Sequence, residues 1–284
     1  MNYKIVADSS SNVFTLSDVE FTSVPLKIIS SEKEYVDTPD LNVEEMVGEL
    51  KNPNVSASTS CPNVHEWLEA FGNADEVFAV SITSTLSGSY SAALRAKEDY
   101  VQKHSEAKVC VLDSLSAGPE IRLIVEKIKE CILEKKPFEQ IEKIVRSYQK
   151  NTHLLFVLQS LTNLAKSGRV SPAVAKIAGV LGICVVGKAS DEGTLQQLHK
   201  CRGEKRALKT IVEEMKKMSF GGKKVRIAHC MNLSAATSLK EMILAHFPSS
   251  DVMIESCAAL CSYYAEKGGL MIGFEDSHEY VCAQ

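Results

Sequence analysis

Hydroxyl side chains crowd four short stretches of this chain. Ser81-Ile82-Thr83-Ser84-Thr85-Leu86-Ser87-Gly88-Ser89-Tyr90-Ser91 carries seven Ser or Thr in eleven residues. Ser58-Thr59-Ser60-Cys61-Pro62-Asn63, Val111-Leu112-Asp113-Ser114-Leu115-Ser116 and Asp8-Ser9-Ser10-Ser11 are the other three. Each lies where a strand-like run gives way to a helix-like one, and any one alone reads as helix capping by Ser, Thr and Asp. Four at equivalent places point further, because ligands of open α/β sheets bind in the crevice beyond the C-terminal strand ends. Hydroxyls and free N–H groups of helix N-termini there donate hydrogen bonds to an anion. The two richest clusters contain no Lys or Arg. A phosphate-rich ligand would call for fixed positive charge or a metal, whereas a few neutral donors satisfy one carboxylate. The pattern favours a monoanionic acid.

Signatures of bond-breaking chemistry are weak. Gly182-Ile183-Cys184-Val185-Val186-Gly187-Lys188-Ala189 has the glycine and lysine spacing of a phosphate loop, but Ala189 replaces the Ser or Thr that reaches Mg²⁺. Its four intervening residues are apolar and β-favouring, so their amides belong in a sheet. There is no GxGxxG fingerprint and no G-x-S-x-G elbow. The seven histidines show no metal-ligand spacing. Nine scattered cysteines, most inside apolar runs and none in a CxxC pair, read as reduced thiols of a cytoplasmic protein. No catalytic residue, metal or cofactor is expected.

The elements that must position the hydroxyls follow from periodicity. Tyr3 to Ala7, Glu76 to Ile82 and Lys108 to Leu112 are strand-like, and they alternate with helical patterns over Val64 to Phe71, Leu86 to Val101 and Ala117 to Glu134. In the last, Ile121, Ile124, Val125, Ile128 and Ile132 share one face. Such alternation predicts a doubly wound, mostly parallel sheet. A further helix is expected over Phe138 to Tyr148. Beyond residue 150 the rhythm changes: Leu154 to Gln159, Ile183 to Ala189 and Thr194 to Lys200 read as strands, the last two joined by the turn Ser190-Asp191-Glu192-Gly193. Helices over Glu204 to Lys217 and Ala235 to Ala245, with strands over Lys224 to His229 and Val252 to Glu255, complete a mixed sheet. With 284 residues, two α/β domains are expected, 1–150 and 151–284. The formal net charge of −4 argues against nucleic acid as a partner. No run approaches the length of a membrane span, and the N-terminus does not read as a signal peptide.

Thr59-Ser60-Cys61-Pro62, Ser84-Thr85-Leu86-Ser87-Gly88-Ser89-Tyr90 and Asp113-Ser114-Leu115-Ser116 resemble the DegV family in motif and order. Leu161-Thr162-Asn163-Leu164-Ala165-Lys166-Ser167-Gly168-Arg169-Val170 is similar to that family's most distinctive segment, and Asp191 to Gly193 followed by Arg202 and Lys205 to its next landmark. The resemblance runs from Asp8 to Phe274. It implies a two-domain protein that binds one long-chain fatty acid between its domains and presents it to a separate fatty acid kinase, which makes acyl phosphate for phospholipid synthesis. The protein itself would be a carrier and not an enzyme; transient membrane contact is compatible with such a role. By the same resemblance Thr59 and Ser87 would bond the carboxylate, with Ser60, Ser84, Gly88 and Ser114 of the same motifs around it. Arg169 and Arg202 would lie near the head group or on the kinase-facing surface. Burying methylenes at ~0.8 kcal/mol each gives roughly 10 kcal/mol gross for a long acyl chain, so the head-group bonds chiefly set orientation. Tunnel walls are expected from the apolar stretch Val174 to Leu181 and its neighbours.

The chain departs from the family pattern twice. The usual His-Thr-Gly-Pro-Gly stretch is replaced by Tyr263-Tyr264-Ala265-Glu266-Lys267 before Gly268-Gly269, which puts Tyr264 at the histidine position. A phenol can donate the same bond but has no cationic form. The usual Ile-Lys-Pro segment reads Ile183-Cys184-Val185. Two other readings stay open at the level of sequence: a hydrolase or phosphotransfer subunit using the Ser/Thr crevice and Asp113, and a carrier of a different amphipathic acid.

Overall fold

The computed structural model describes residues 2–52, 54–170 and 182–279. The segment Val174 to Leu181, expected to wall the tunnel, lies outside the described residues.

The first half runs β1 (Tyr3–Asp8), β2 (Glu20–Val24), β3 (Lys27–Ser30), β4 (Glu34–Val36), α1 (Val43–Glu49), β5 (Ala57–Ser60), α2 (Val64–Phe71), β6 (Glu76–Ser81), α3 (Ser89–Lys103), β7 (Lys108–Asp113), α4 (Pro119–Leu133) and α5 (Phe138–Tyr148). Strands β2-β1-β6-β7 form a four-stranded, all-parallel sheet. Its strands are near-continuous apolar runs because helices cover both faces. Val6, Val77, Ala79 and Val109 pack with Trp67 and Phe71 of α2 and Ala96 of α3. The alternate residues Ile5, Ala7, Phe78 and Val80 pack with Ile121, Ile124 and Ile128 of α4 and Ile141 of α5. The chain leaves β1 in opposite lateral directions to reach β2 and β6, so the switch point lies between β1 and β6, at the end of the sheet where the hydroxyl clusters sit.

The second half runs β8 (Thr152–Leu158), α6 (Thr162–Lys166), β9 (Ile183–Ala189), β10 (Leu195–Arg202), α7 (Glu204–Lys217), β11 (Lys224–His229), α8 (Leu233–His246), β12 (Asp251–Ser256), α9 (Ala259–Ala265) and β13 (Leu270–Glu275). These strands form a mixed sheet in the order β10-β9-β8-β13-β11-β12. All of the segment 182–189 after Gly182 is strand β9, paired through Lys188 and Gly187 with β8 and β10, which accounts for the near phosphate loop as sheet. One face, with Leu155, Val157, Ile227 and Ile272, packs on α7 and α8. The other, with Leu154, Phe156, Leu158 and Met271, turns toward the first half.

Among the features not foreseen, two shape the site. β13 is a central, fully buried strand, its alternation hidden because both faces are covered. Helix α4 crosses it so closely that a Cβ on Gly273 would lie 2.6 Å from the backbone of Pro119 and Glu120. A three-stranded antiparallel sheet β4-β3-β5 also stands beside the parallel one. Its strands are three or four residues long and exposed on one side, too short for periodicity to register. Thr59 therefore lies on β5 opposite Ile28, not at the end of a parallel strand. Helix α3 begins at Ser89 and not Leu86, which leaves Leu86 and Ser87 in the loop that follows β6.

Candidate functional site

Between the C-terminal edge of the parallel sheet and the inner face of the mixed sheet lies a cavity of about 330 Å³. Its floor comes from alternate β8 residues, Leu154, Phe156 and Leu158, and from Met271 of β13. Period-two alternation puts these on one face while Leu155 and Val157 serve the core behind them. Helix α9 contributes Leu260, Cys261, Tyr264 and Ala265, spaced to share one helical face, and turns Ala259 and Tyr263 onto the antiparallel sheet. Leu26, Ile82, Leu86 and Ala117 close the sides.

Burial grades along the cavity. Leu26, Leu154, Phe156 and Leu260 are each 5% exposed or less, while Thr59, Ser60, Ser87, Arg169 and Tyr264 are half-buried. The polar lining therefore clusters toward solvent and the apolar lining toward the interior. At the polar end the Thr59 hydroxyl and the Tyr264 phenol share a hydrogen bond of 2.7 Å. The Arg169 guanidinium stands 5.8 Å over the Tyr264 ring, within cation–π range. Its Nε donates to the Leu86 carbonyl at 3.2 Å and its Nη1 to the Ser167 carbonyl at 3.0 Å. Ser87 accepts from the Ser89 N–H at the start of α3, and Gly88 follows it with Cys61 Sγ 3.3 Å from where a Cβ would stand.

Buried polar groups behind the cavity fix its loops. Asp8 accepts from the Ile82 N–H at 2.9 Å, the Ser89 hydroxyl at 2.6 Å and the Ser10 hydroxyl, so the fourth hydroxyl cluster shapes the 82–89 loop instead of facing the cavity. Burial raises the Asp8 pKa, against which these donors act. From the mixed sheet, the β9–β10 hairpin reaches across: Thr85 Oγ1 donates to the Gly193 carbonyl at 2.7 Å. Gly193 sits at φ +82°, and a Cβ there would run into Thr83 Oγ1.

Six of the nine residues named from sequence, Thr59, Ser60, Ser87, Gly88, Arg169 and Tyr264, meet at this cavity. Three do not. Ser84 is exposed, and its N–H donates to the Asp113 carboxylate. Ser114 is buried in its own turn, donating to the Ser116 carbonyl at 3.0 Å and accepting from the Ser116 N–H at 3.1 Å. Arg202 is exposed at the end of β10, away from the cavity lining. Tyr263, whose hydroxyl donates to the Ala57 carbonyl at 3.0 Å, was missed as a support of its neighbour.

Glu120, at the start of α4, lines a second, polar pocket of about 650 Å³ that shares Leu154 with the first. Its carboxyl accepts from the hydroxyls of Ser116 and Thr152, and burial pushes its pKa up to about 7. Because the folded pKa is raised, its contribution to stability is complete below the usual carboxyl range and is lost as pH rises through 7. Glu120→Gln is therefore expected to flatten the fall in stability between pH 5 and pH 8, read as urea midpoints across that range. An unchanged pH slope would assign the fall to other groups.

The family model of the DegV family, described as an uncharacterised protein, matches residues 2–276. The chain belongs to the DegV family. A DegV domain-containing protein of Streptococcus pneumoniae is 38% identical over 279 residues, covering 97% of this chain and 99% of the relative. The structure of a DegV family protein from Eubacterium eligens loaded with heptadecanoic acid superposes with a TM-score of 0.95 at 40% identity, covering 97% of this chain and 100% of that one. The Streptococcus pneumoniae Fatty Acid Kinase (Fak) B3 protein loaded with linoleic acid matches with a TM-score of 0.95 at 38% identity, covering 97% and 99% of the two chains. The DegV resemblance and the two-part α/β fold expected from sequence agree with these matches. Among the described residues, no helix is long and apolar enough to cross a membrane.

Proposed function

We propose that this DegV protein is a cytoplasmic carrier that binds a long-chain fatty acid in the cavity between its two sheets and presents the carboxylate to a separate fatty acid kinase. One observation carries the reading: a buried apolar cavity ends at a half-buried pair of hydroxyls, Thr59 and Tyr264, with Ser87 and Arg169 beside them. Methylenes gain by leaving water along the floor, and the neutral donors orient the anionic head. Arg169, fixed by two backbone carbonyls and the Tyr264 ring, adds positive charge near that head. Among the described residues, the lining offers hydroxyls, thiols and a guanidinium but no carboxylate or imidazole to act as a general base, which favours carriage over hydrolysis. The two relatives loaded with fatty acids share the fold over nearly the whole chain.

Native mass spectrometry of protein purified from a bacterial host tests this. The expected result is a mass excess equal to one long-chain fatty acid, released on organic extraction. An empty protein that hydrolyses ester substrates would replace the carrier with an enzyme. For the partner, Arg202 is exposed and outside the cavity, so Arg202→Ala is expected to slow acyl phosphate formation by an added fatty acid kinase several-fold. If both phosphorylation and lipid binding are unaffected, Arg202 is no part of the kinase-facing surface.

A further inference from the structure

Thr59 and Tyr264 belong to different elements, and their 2.7 Å bond requires those elements to be held in register. Thr59 is on β5, which pairs with β3, and β3 pairs with β4. Asp37 follows β4 directly, is 1% exposed, and donates its N–H to the Leu26 carbonyl at 2.9 Å. Its carboxylate crosses to the start of α9, the helix that bears Tyr264. Oδ1 accepts from the Ala259 N–H at 2.7 Å and Oδ2 from the Leu260 N–H at 3.1 Å. The N-cap residue of α9 is Ala258, which has no side-chain acceptor, so this helix takes its cap from a residue remote in sequence. The Ala258 N–H is taken by Asn12 Oδ1 at 2.9 Å. Tyr263 fixes the other end to β5. Antiparallel sheet, Asp37, α9 and the Tyr264–Thr59 bond thus close a ring around the polar end of the cavity.

We propose that Asp37 is a positioning residue for the head-group site, setting the Thr59–Tyr264 pair by holding the first two N–H groups of α9. The inference rests on the fatty acid reading for its binding measurements but not for its structural one. Two charge-assisted bonds at a helix start are strong and directional. They are also held against a penalty: burial pushes the Asp37 pKa up to about 6, against which the two N–H donors and the Ser9 hydroxyl act, and the charge of Asp8 adds to the rise. The other titratable groups facing it are the thiols of Cys257 and Cys261, both pushed well above their ordinary range by burial. Protonation turns one carboxylate oxygen into a donor, so the grip on two N–H groups loses an acceptor.

This separates positioning from plain stability. With a raised folded pKa, Asp37 contributes stability that is lost as pH rises through 6. Its grip on α9 strengthens over the same interval. A positioning role therefore makes affinity and stability move in opposite directions with pH, and a merely structural role makes them move together.

The test compares fatty acid affinity of wild type, Asp37→Asn and Asp37→Ser between pH 5 and pH 7.5, with urea midpoints alongside; ionisation of the lipid is common to all three. The expected result is about tenfold weaker binding in the variants at pH 7.5, with the difference from wild type closing by pH 5. A difference that is absent, or constant with pH, overturns the proposal. A ligand-free measurement keeps the failure of this inference distinct from failure of the fatty acid reading. In protein labelled with 3-fluorotyrosine, the Tyr264 ¹⁹F resonance, assigned by its loss in Tyr264→Phe, is expected to shift in Asp37→Asn and, in wild type, with acidification through pH 6. A resonance that stays put in both removes Asp37 from the positioning of Tyr264, whatever the cavity binds.

Discussion

Replacing Thr59 by alanine together with Tyr264 by phenylalanine is expected to weaken fatty acid binding on the order of 100-fold, measured by displacement of a fluorescent acid, while the fold is retained. A hydrogen bond to a charged group contributes about 1.5–3 kcal/mol, and ~1.4 kcal/mol is a tenfold change in affinity. The two hydroxyls satisfy each other at 2.7 Å, so neither is left unpaired and desolvated. A bound carboxylate exchanges that bond for charge-assisted ones. Each single variant keeps one donor and is expected to lose roughly tenfold, the effects being coupled because the two residues are bonded to each other. Unfolding midpoints should move little, since both side chains are half-buried. If the double variant binds like wild type, the carboxylate does not sit at this pair, and Ser87 with Arg169 becomes the head-group site.

The same pair shows what a sequence can and cannot reveal about this molecule. Long, strongly patterned elements were legible: the apolar stripe of α4 falls where 3.6-residue spacing puts it, and α2, α5, β9, α7 and β11 have the boundaries read from sequence. Tyr264 was legible only by its offset from Gly268-Gly269. That it meets Thr59 was not, because the meeting depends on the antiparallel sheet, whose strands are three or four residues long and whose β5 is held by non-local pairing with β3. Hydroxyl density pointed to the end of the parallel sheet where the cavity lies but could not tell a side chain facing a cavity from one spent on its own turn. Ser87 and Ser114 come from similar motifs, yet Ser114 is consumed by the Ser116 backbone. Asp37 carried no local signal at all, since it caps a helix more than two hundred residues away.

Arg226→Met is expected to destabilise the protein by about 3 kcal/mol, read from urea unfolding near neutral pH. Arg226 on β11 is 6% exposed and grips Glu126 of α4, with Nη2 at 2.8 Å from Oε2 and Nε at 3.1 Å from Oε1. Its Nη2 also reaches Asp251 Oδ2 at 2.8 Å. Burial acts to lower the guanidinium pKa, but the two carboxylates outweigh it and hold it above its ordinary range. Removing one partner of a buried pair typically costs ~3–5 kcal/mol because the other charge is left behind. Arg122, 3.8 Å from Glu126 and itself paired with Glu255 at 2.6 Å, takes up part of that charge, which places the expected loss at the lower end. The pair joins the mixed sheet to the helix that covers the parallel one, and the cavity lies between those same two sheets. Loss of Arg226 should therefore loosen the cavity walls and weaken lipid binding as well. Adding Glu126→Leu removes the stranded carboxylate, so the double variant should regain most of the stability, as apolar replacement of buried ion pairs commonly does. A loss below about 1 kcal/mol in Arg226→Met would mean that water reaches the pair and that apolar contact, with α4 crossing at Gly273, holds the halves together by itself.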